Sequence, residues 1–129
     1  MTYSIDALKK NRVSALLFGG TEADRRAIAV AATQELAGEG LIEAKDADAL
    51  ERALTNGRAV VYVPDVTLIP AATQRAVVRM LREREERPKL VLGLPTTPET
   101  AAQKGGLTDD LRFWLAHSTL DVKARAGRR

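Results

Sequence analysis

The apolar positions of this chain form short runs separated by longer segments of helical periodicity. Five runs bounded by turn residues predict β-strands, at residues 13–18, 41–44, 59–63, 90–94 and 119–122. Between them, apolar residues three or four apart predict helices over 23–36, 47–54, 70–87 and 109–115, with a short helix starting at Pro98. The run at 59–63 is apolar throughout, which is typical of a strand covered on both faces. The alternation predicts a three-layer α/β domain with a mostly parallel sheet of about five strands.

Composition places the chain among ordinary globular proteins. It has 129 residues, of which 45% are hydrophobic and 29% charged, enough for one domain with a single core. There is no cysteine, so disulfides and thiolate metal sites are excluded. The absence of a long apolar run or a signal-peptide pattern predicts no membrane association and a cytoplasmic location.

The formal net charge of +3 comes from the end of the chain. The last seven residues carry four positive charges and no acid, so residues 1–122 have a net charge of −1. We therefore expect a single folded domain at 1–122 and a basic, flexible tail at 123–129. Because the body is nearly neutral, nucleic-acid binding is not expected except weakly, through the tail.

The central stretch, 58–85, combines the best strand with a long amphipathic helix. The strand ends in Val63-Pro64-Asp65, and the helix places Gln74, Val77, Val78 and Leu81 on one side. With Pro70 and the following Arg79, Met80, Arg82 and Glu83, this pattern resembles the AAA+ ATPase domain of sigma-54-dependent transcriptional activators (bacterial enhancer-binding proteins). In that family a strand ending in Asp-Glu is followed by a helix of the form P-x-x-x-Q-x-x-L-L-R-V-L-Q-E.

Two downstream segments extend the resemblance over nearly the whole chain. Residues 91–96 are similar to the family strand that ends in A-T-N, and residues 107–115 to its F-R-x-D-L-Y-Y-R-L segment. The resemblance implies a P-loop NTPase/AAA+-like core, here without the helical lid. The loop that engages sigma-54 in the family has no counterpart in this sequence.

The phosphate-binding loop departs from the family pattern G-x-x-x-x-G-K-[ST]. The corresponding segment begins with Gly19, Gly20 and Thr21, but Asp24 stands in place of the second glycine and Arg25 in place of the lysine. The acidic residues of this segment also oppose a triphosphate electrostatically. We interpret Gly19, Gly20, Thr21 and Arg25 as the vestige of a nucleotide site.

The other residues that an ATPase of this family needs for hydrolysis are altered as well. Pro64 replaces the metal-ligating aspartate, and Asp65 takes the place of the catalytic glutamate. The sensor asparagine corresponds to Thr96, and the two arginines that reach a neighbouring subunit correspond to Thr108 and Trp114. These changes predict a domain with no catalytic residues, no bound metal and no cofactor. Asp65 is interpreted as a turn or cap residue.

Several side chains have both a structural and a functional interpretation. His117 is expected at a helix end or on the surface. Phe113 and Trp114 are expected to pack in the core, although an exposed Trp114, with Arg79, would indicate a contact for a protein partner. Arg25 and Arg26, at a helix start, could instead bind a small anion.

The favoured function is a non-catalytic AAA+-derived module that binds another protein, such as a full AAA+ protein or a signalling or scaffold protein. It would serve as a regulator or adaptor in bacterial signalling, transcription control or localisation. The alternative is a small nucleotide or anion sensor that uses the modified loop from Gly19 to Arg26. A residual ATPase that depends on Asp65 is a third possibility.

Overall fold

The computed structural model describes residues 4–36, 40–84 and 86–123, and these residues form an α/β sandwich. Five strands form one sheet in the order β2-β3-β4-β1-β5, and every neighbouring pair is parallel. The strands are β1 (Ala15–Phe18), β2 (Leu41–Glu43), β3 (Val60–Val63), β4 (Lys89–Gly93) and β5 (Thr119–Asp121). The predicted fold class and the five predicted strands are confirmed.

Among the described residues, six helices cover the two faces of the sheet. They are α1 (Ile5–Lys10), α2 (Glu22–Glu35), α3 (Ala47–Ala53), α4 (Ala71–Glu83), α5 (Pro98–Gln103) and α6 (Asp109–Trp114), with short 3₁₀ turns at Val66–Leu68 and Ala116–Ser118. Helix α1 is absent from the sequence prediction because it is one and a half turns long and buries only Leu8. Helix α4 ends at Glu83 rather than next to Pro88, because Arg84 is already extended and leads back to β4.

The core is divided by the sheet into two layers. One face packs against α3, α4 and α6 through residues such as Leu16, Val61 and Leu92. The other face packs against α1 and α2, and there Ala29 and Ala32 let α2 lie close to the sheet. All five residues of β4 and all four of β3 are buried, as expected for central parallel strands.

The parallel topology gives the sheet two chemically different edges. We call the edge where the strands end the carboxyl edge, and the edge where they begin the amino edge. Helices begin at the carboxyl edge, with acids in the first turns of α2, α3, α5 and α6. Basic residues occupy the last turns of α1, α3, α4 and α6. Both preferences follow the helix dipole.

Among the described residues, no helix is long and apolar enough to cross a membrane. The predicted basic tail lies outside the described residues except for Lys123, whose backbone N–H donates to Asp121.

Candidate functional site at the carboxyl edge

The loop between β1 and α2 is tied together by its own side chains. Gly19 and Gly20 have φ values of 79° and 61°, in the left-handed region that favours glycine. Thr21 is the N-cap of α2: its hydroxyl accepts from the Asp24 N–H, and the Asp24 carboxylate accepts from the Thr21 N–H at 2.9 Å. This capping box uses two backbone donors that a phosphate would otherwise contact. These hydrogen bonds also lower the pKa of Asp24, chiefly through the Thr21 backbone N–H.

Arg25 lies beneath this loop and is only 5% exposed. One of its terminal nitrogens donates to the carbonyl oxygens of Gly19, at 2.8 Å, and Gly20, at 3.3 Å. The loop therefore turns carbonyl oxygens, not N–H groups, toward the position of the guanidinium. The Nε of Arg25 has no hydrogen-bond partner among the described residues. The arrangement places a cation where the loop is electron-rich and offers few donors to an external anion.

The end of β3 lies at the same edge of the sheet as this loop. Asp65 is the N-cap of the 3₁₀ turn Val66–Leu68, where its carboxylate accepts hydrogen bonds from the backbone N–H and the hydroxyl of Thr67. The predicted cap role of Asp65 is confirmed. The Pro64 carbonyl is packed against Gly93 so closely that a Cβ at Gly93 would lie 2.6 Å from it. The tips of β3 and β4 are thus held together without space for a side chain at that position.

A cleft of about 280 Å³ opens between α2, the end of β3 and the residues after β2. It is lined by Glu22, Arg26, Lys45, Pro64, Asp65 and Leu68. The cleft therefore joins the start of α2, which follows the altered phosphate loop, to the altered strand tip, whereas Gly19, Gly20, Thr21 and Arg25 are not among its lining residues. Among the described residues, no group of three or more His, Cys, Asp and Glu side chains could hold a metal ion.

The cationic side chains of the cleft are neutralised by carboxylates. Arg26 pairs with Glu43 and, at 3.2 Å, with Glu22, while Lys45 lies 3.4 Å from Glu43. Tyr62 completes the network, because its hydroxyl donates to Glu22 at 2.8 Å and its ring lies 5.3 Å from the Arg26 guanidinium carbon. Two acids and two bases share the network, so it presents no net charge to a ligand.

The network also moves the pKa values of its members. The hydrogen bond from Arg26 lowers the pKa of Glu43 and keeps this carboxylate ionised. Burial raises the pKa of the Tyr62 hydroxyl, and the hydrogen bond to Glu22 raises it further. Tyr62 is therefore a hydrogen-bond donor throughout the neutral pH range.

The other predicted site residues lie away from this cleft. Thr108 caps α6 through its hydroxyl, and the exposed Arg79 lies on α4. Trp114 is partly buried against the core, as predicted, and lines a second cleft at the amino edge with His117. The prediction that Phe113 packs in the core is wrong: it is 81% exposed. Leu111 takes the core-facing position of α6, and two residues further along a helix the side chain points to the opposite side.

Sequence reasoning missed three residues that organise the site region. Tyr62 and Glu43 were not selected, although both lie near the carboxyl ends of adjacent parallel strands, where α/β proteins place their sites. Gln74 is 2% exposed, and its amide nitrogen donates to the carbonyls of Val66, Ile69 and Gly106. Its oxygen accepts from the Thr108 N–H. A polar residue at a core-facing helical position was the available signal for Gln74.

Comparison with known proteins gives structural matches alone. No protein-family model matches the chain, and no curated protein matches it in sequence. NtrX from Brucella abortus in complex with ATP matches with a TM-score of 0.69 and 17% identity, over 92% of this chain and 33% of that one. The complex of the same protein with ADP gives a TM-score of 0.66. The chain thus spans about a third of the length of NtrX.

A single-domain structure matches over most of both chains. The P-loop NTPase domain of a sigma-54 activator from E. coli has a TM-score of 0.65 and 19% identity, over 91% of this chain and 87% of that domain. At these identities the likeness establishes the architecture. The described residues share the fold of that P-loop NTPase domain of a sigma-54 activator.

Proposed function

We propose that this domain is a non-catalytic, AAA+-derived module that binds another protein. It acts as a regulator or adaptor in a cytoplasmic bacterial system for signalling, transcription control or localisation. The observation that carries the proposal is the position of Arg25, whose guanidinium binds the Gly19 and Gly20 carbonyls of the loop that would hold phosphate.

The electrostatics of the loop support the absence of nucleotide chemistry. A phosphate-binding loop supplies backbone N–H groups and a lysine that reaches the β- and γ-phosphates. Here the N–H groups of Thr21 and Asp24 are used in the capping box, and the carbonyls of Gly19 and Gly20 face the buried Arg25. A triphosphate would have to displace these internal bonds before it made its own.

The strand tip supports the same proposal. Hydrolysis needs a carboxylate to hold Mg²⁺ and a second group to orient water. Pro64 has no carboxylate, and Asp65 is used to cap the following turn. The structural neighbour NtrX is solved with ADP and with ATP, so the same architecture binds nucleotide in another protein. The proposed difference therefore resides in side chains and not in the fold.

The test is a direct comparison of nucleotide binding and turnover. We expect no binding of ATP by isothermal calorimetry at micromolar protein and no Mg²⁺-dependent release of phosphate above a heat-inactivated control. An Asp24→Gly/Arg25→Lys double variant, which restores the second glycine and the lysine of the loop pattern, serves as a matched sample. Phosphate release by the wild-type chain that is abolished by Asp65→Asn would show that the domain is an ATPase.

The cleft beside Arg26 and Lys45 supports a second candidate, a small nucleotide or anion sensor. Calorimetry with ATP, GTP and a cyclic dinucleotide separates the two functions. Micromolar binding that is lost in both Arg25→Ala and Lys45→Ala favours the sensor, and the exposed Lys45 serves as the variant that leaves the loop intact. Absence of binding to all three ligands favours the protein-binding module.

A further inference from the structure

The amino edge of the sheet carries a group of cations that the carboxyl edge lacks. Arg12 precedes β1, Arg58 precedes β3, Arg84 and Arg87 lie between α4 and β4, and Lys89 is the first residue of β4. No described carboxylate forms an ion pair with any of these five side chains. Two described acids lie near the end of α4: Glu83 pairs with Arg82 at 3.6 Å, and Glu86 is exposed.

Hydrogen bonds bring three of these cations to one loop. Arg12 donates to the carbonyl of Gly57 at 3.1 Å, and Gly57 is packed against the backbone at Arg87. Arg87 in turn donates to the carbonyl of Arg84, and Arg84 donates to the carbonyl of Leu54 at 3.1 Å. Each guanidinium is therefore anchored by one terminal nitrogen, and its remaining N–H groups have no described partner. A guanidinium has five donors, so capacity for an external acceptor remains.

The adjacent Lys89 shows the electrostatic character of this edge. Its side chain is fully buried, and its Nζ donates to the carbonyl of Val13. Burial lowers its pKa to about 8, and the nearby Arg12 guanidinium contributes to the same change. Burial is the larger cause of this lowered pKa, and the smaller contribution of Arg12 reflects the positive charge close to Lys89.

A cleft of about 200 Å³ lies within the same edge. Its apolar lining comes from Val13, Leu81, Trp114 and Leu115, and its polar lining from Ser14, Arg87 and His117. An apolar floor with a cationic rim suits a large apolar side chain that is flanked by acids.

We propose that the amino edge is the docking surface of the module and that its ligand is an acidic peptide segment of a partner protein, with one apolar residue that enters the cleft beside Trp114. This inference rests on the proposed function and names the surface and chemistry of the partner. The arginines around Arg87 receive the carboxylates, and the apolar residue is enclosed between Leu81 and Trp114.

Two observations favour a peptide over a nucleic acid. The cleft is lined mainly by aliphatic and aromatic carbon, with few groups that could read a base edge. A long polyanion would also extend toward the carboxyl edge, where the first turns of α2, α5 and α6 carry acids. A short acidic segment avoids that repulsion.

The experiment uses fluorescence anisotropy with a short synthetic peptide rich in Asp and Glu that has one central leucine. We expect micromolar binding that Arg87→Glu weakens by about tenfold or more, because two like charges replace an attraction. Arg75→Glu makes the same charge change on the exposed start of α4 at the other edge and is expected to change affinity less than about twofold. Replacing the central leucine of the peptide by serine is expected to cost roughly tenfold, the value of a buried leucine.

Each alternative outcome contradicts the inference. No binding of the peptide, equal loss for Arg75→Glu and Arg87→Glu, or tighter binding of a single-stranded oligonucleotide of equal charge would each remove the acidic-peptide surface. Circular dichroism of both variants, identical to that of the wild type, ensures that the loss reflects charge. The proposed function is tested separately. ATP binding or hydrolysis would contradict it and would not change the result with the peptide.

Discussion

The two edges of the sheet balance their charged side chains differently. At the carboxyl edge, Glu22, Arg26, Glu43 and Lys45 are paired with one another, and the loop amides are capped by side chains. At the amino edge, the cations around Arg87 contact backbone carbonyls, and no described carboxylate pairs with them. Helix dipoles favour acids at one edge and bases at the other, so the fold explains the signs of the charges. Ion pairs between side chains differ as well: they join the four residues of the cleft network at the carboxyl edge, and among the described residues they involve none of the cations around Arg87.

The comparison predicts opposite effects of substitution at the two edges. Where interactions are internally satisfied, a side chain contributes to stability and its removal destabilises the protein. Where cations are crowded, removal of one relieves repulsion or desolvation and stabilises the protein. This contrast connects stability to function. A surface whose cations have no carboxylate partners in the free protein is suited to a ligand of opposite charge.

The largest expected effect is at Gln74, which joins the loops of the carboxyl edge. Gln74→Leu keeps the size of the side chain but leaves the carbonyls of Val66, Ile69 and Gly106 and the N–H of Thr108 without this partner. We expect a loss of about 3 kcal/mol in the free energy of unfolding, measured by urea denaturation. Arg75→Leu, on the exposed side of α4, is the control and is expected to be nearly neutral. A loss below about 1 kcal/mol for Gln74→Leu would contradict the role assigned to these bonds.

The next effect, of opposite sign, is at Lys89 on the amino edge. Its pKa of about 8 in the folded protein lies below the ordinary value of 10.5, so the unfolded chain binds this proton more tightly. The free energy of unfolding therefore rises as the pH is raised from about 8 toward 10, by roughly 2 kcal/mol. Above pH 10 the raised pKa of Tyr62 acts in the opposite direction, because the folded state retains a proton that the unfolded chain loses.

Lys89→Met tests the origin of this pH dependence. The substitution should remove most of the rise between pH 8 and 10 and increase stability at neutral pH. Lys104→Met, at an exposed position, should leave the wild-type profile unchanged. Urea denaturation at several pH values provides the measurement. If Lys89→Met retained the full rise, another group would have to be responsible.

A smaller effect is expected at Asp65, at the carboxyl edge. Asp65→Ala removes the cap of the 3₁₀ turn Val66–Leu68 and should cost about 1 kcal/mol in the free energy of unfolding. Asp48→Ala removes an acid from the first turn of α3 that is not its N-cap, and it should cost clearly less. Equal losses at the two positions would indicate that charge near helix starts, and not capping, is what matters at this edge.

The smallest effect on stability is expected in the ion network of the cleft at the carboxyl edge. Glu22→Gln removes a charge that pairs with Arg26 but keeps an acceptor for the Tyr62 hydroxyl. Both side chains of the pair are partly exposed to solvent, so the change in urea midpoint should be near the error of measurement and should shrink further in salt. A large loss of stability that persists at high salt would contradict this expectation and would show that the ion network is important for folding of the carboxyl edge.

The sequence predicted the fold because its apolar runs are strong and local. The runs that form β3 and β4 are bounded by turn residues, and Thr21, Asp46 and Thr108 are ordinary helix caps. Helix α1 escaped prediction because its one buried residue, Leu8, gives no periodic pattern. The exposure of Phe113 depends on which side of α6 meets α4, and that is decided by tertiary packing.

The site was predictable in position but not in its internal arrangement. The resemblance identified Arg25 and Asp65 as altered positions of the ATPase site, and the structure places both at the carboxyl edge. The direction of the Arg25 guanidinium could not be predicted, because it depends on the orientation of the Gly19 and Gly20 peptides. Gln74 was visible as a polar residue among core positions, but its four partners come from two separate segments, at residues 66–69 and 106–108. The amino-edge cations are scattered in sequence and meet only when the strands align.

The order of strands in the sheet has a consequence for biosynthesis. Strand β1 is made early, yet it pairs only with β4 and β5, which are formed by Lys89–Gly93 and Thr119–Asp121. The hydroxyl of Ser118 donates to the carbonyl of Ser14 across 104 residues. On the ribosome, Leu16 and Leu17 therefore lack their β4 partners until residue 93 has left the exit tunnel, and their β5 partners until residue 120 has left it. Such long-range closure slows folding and prolongs exposure of apolar chain, so a nascent polypeptide of this topology is a natural client for chaperones.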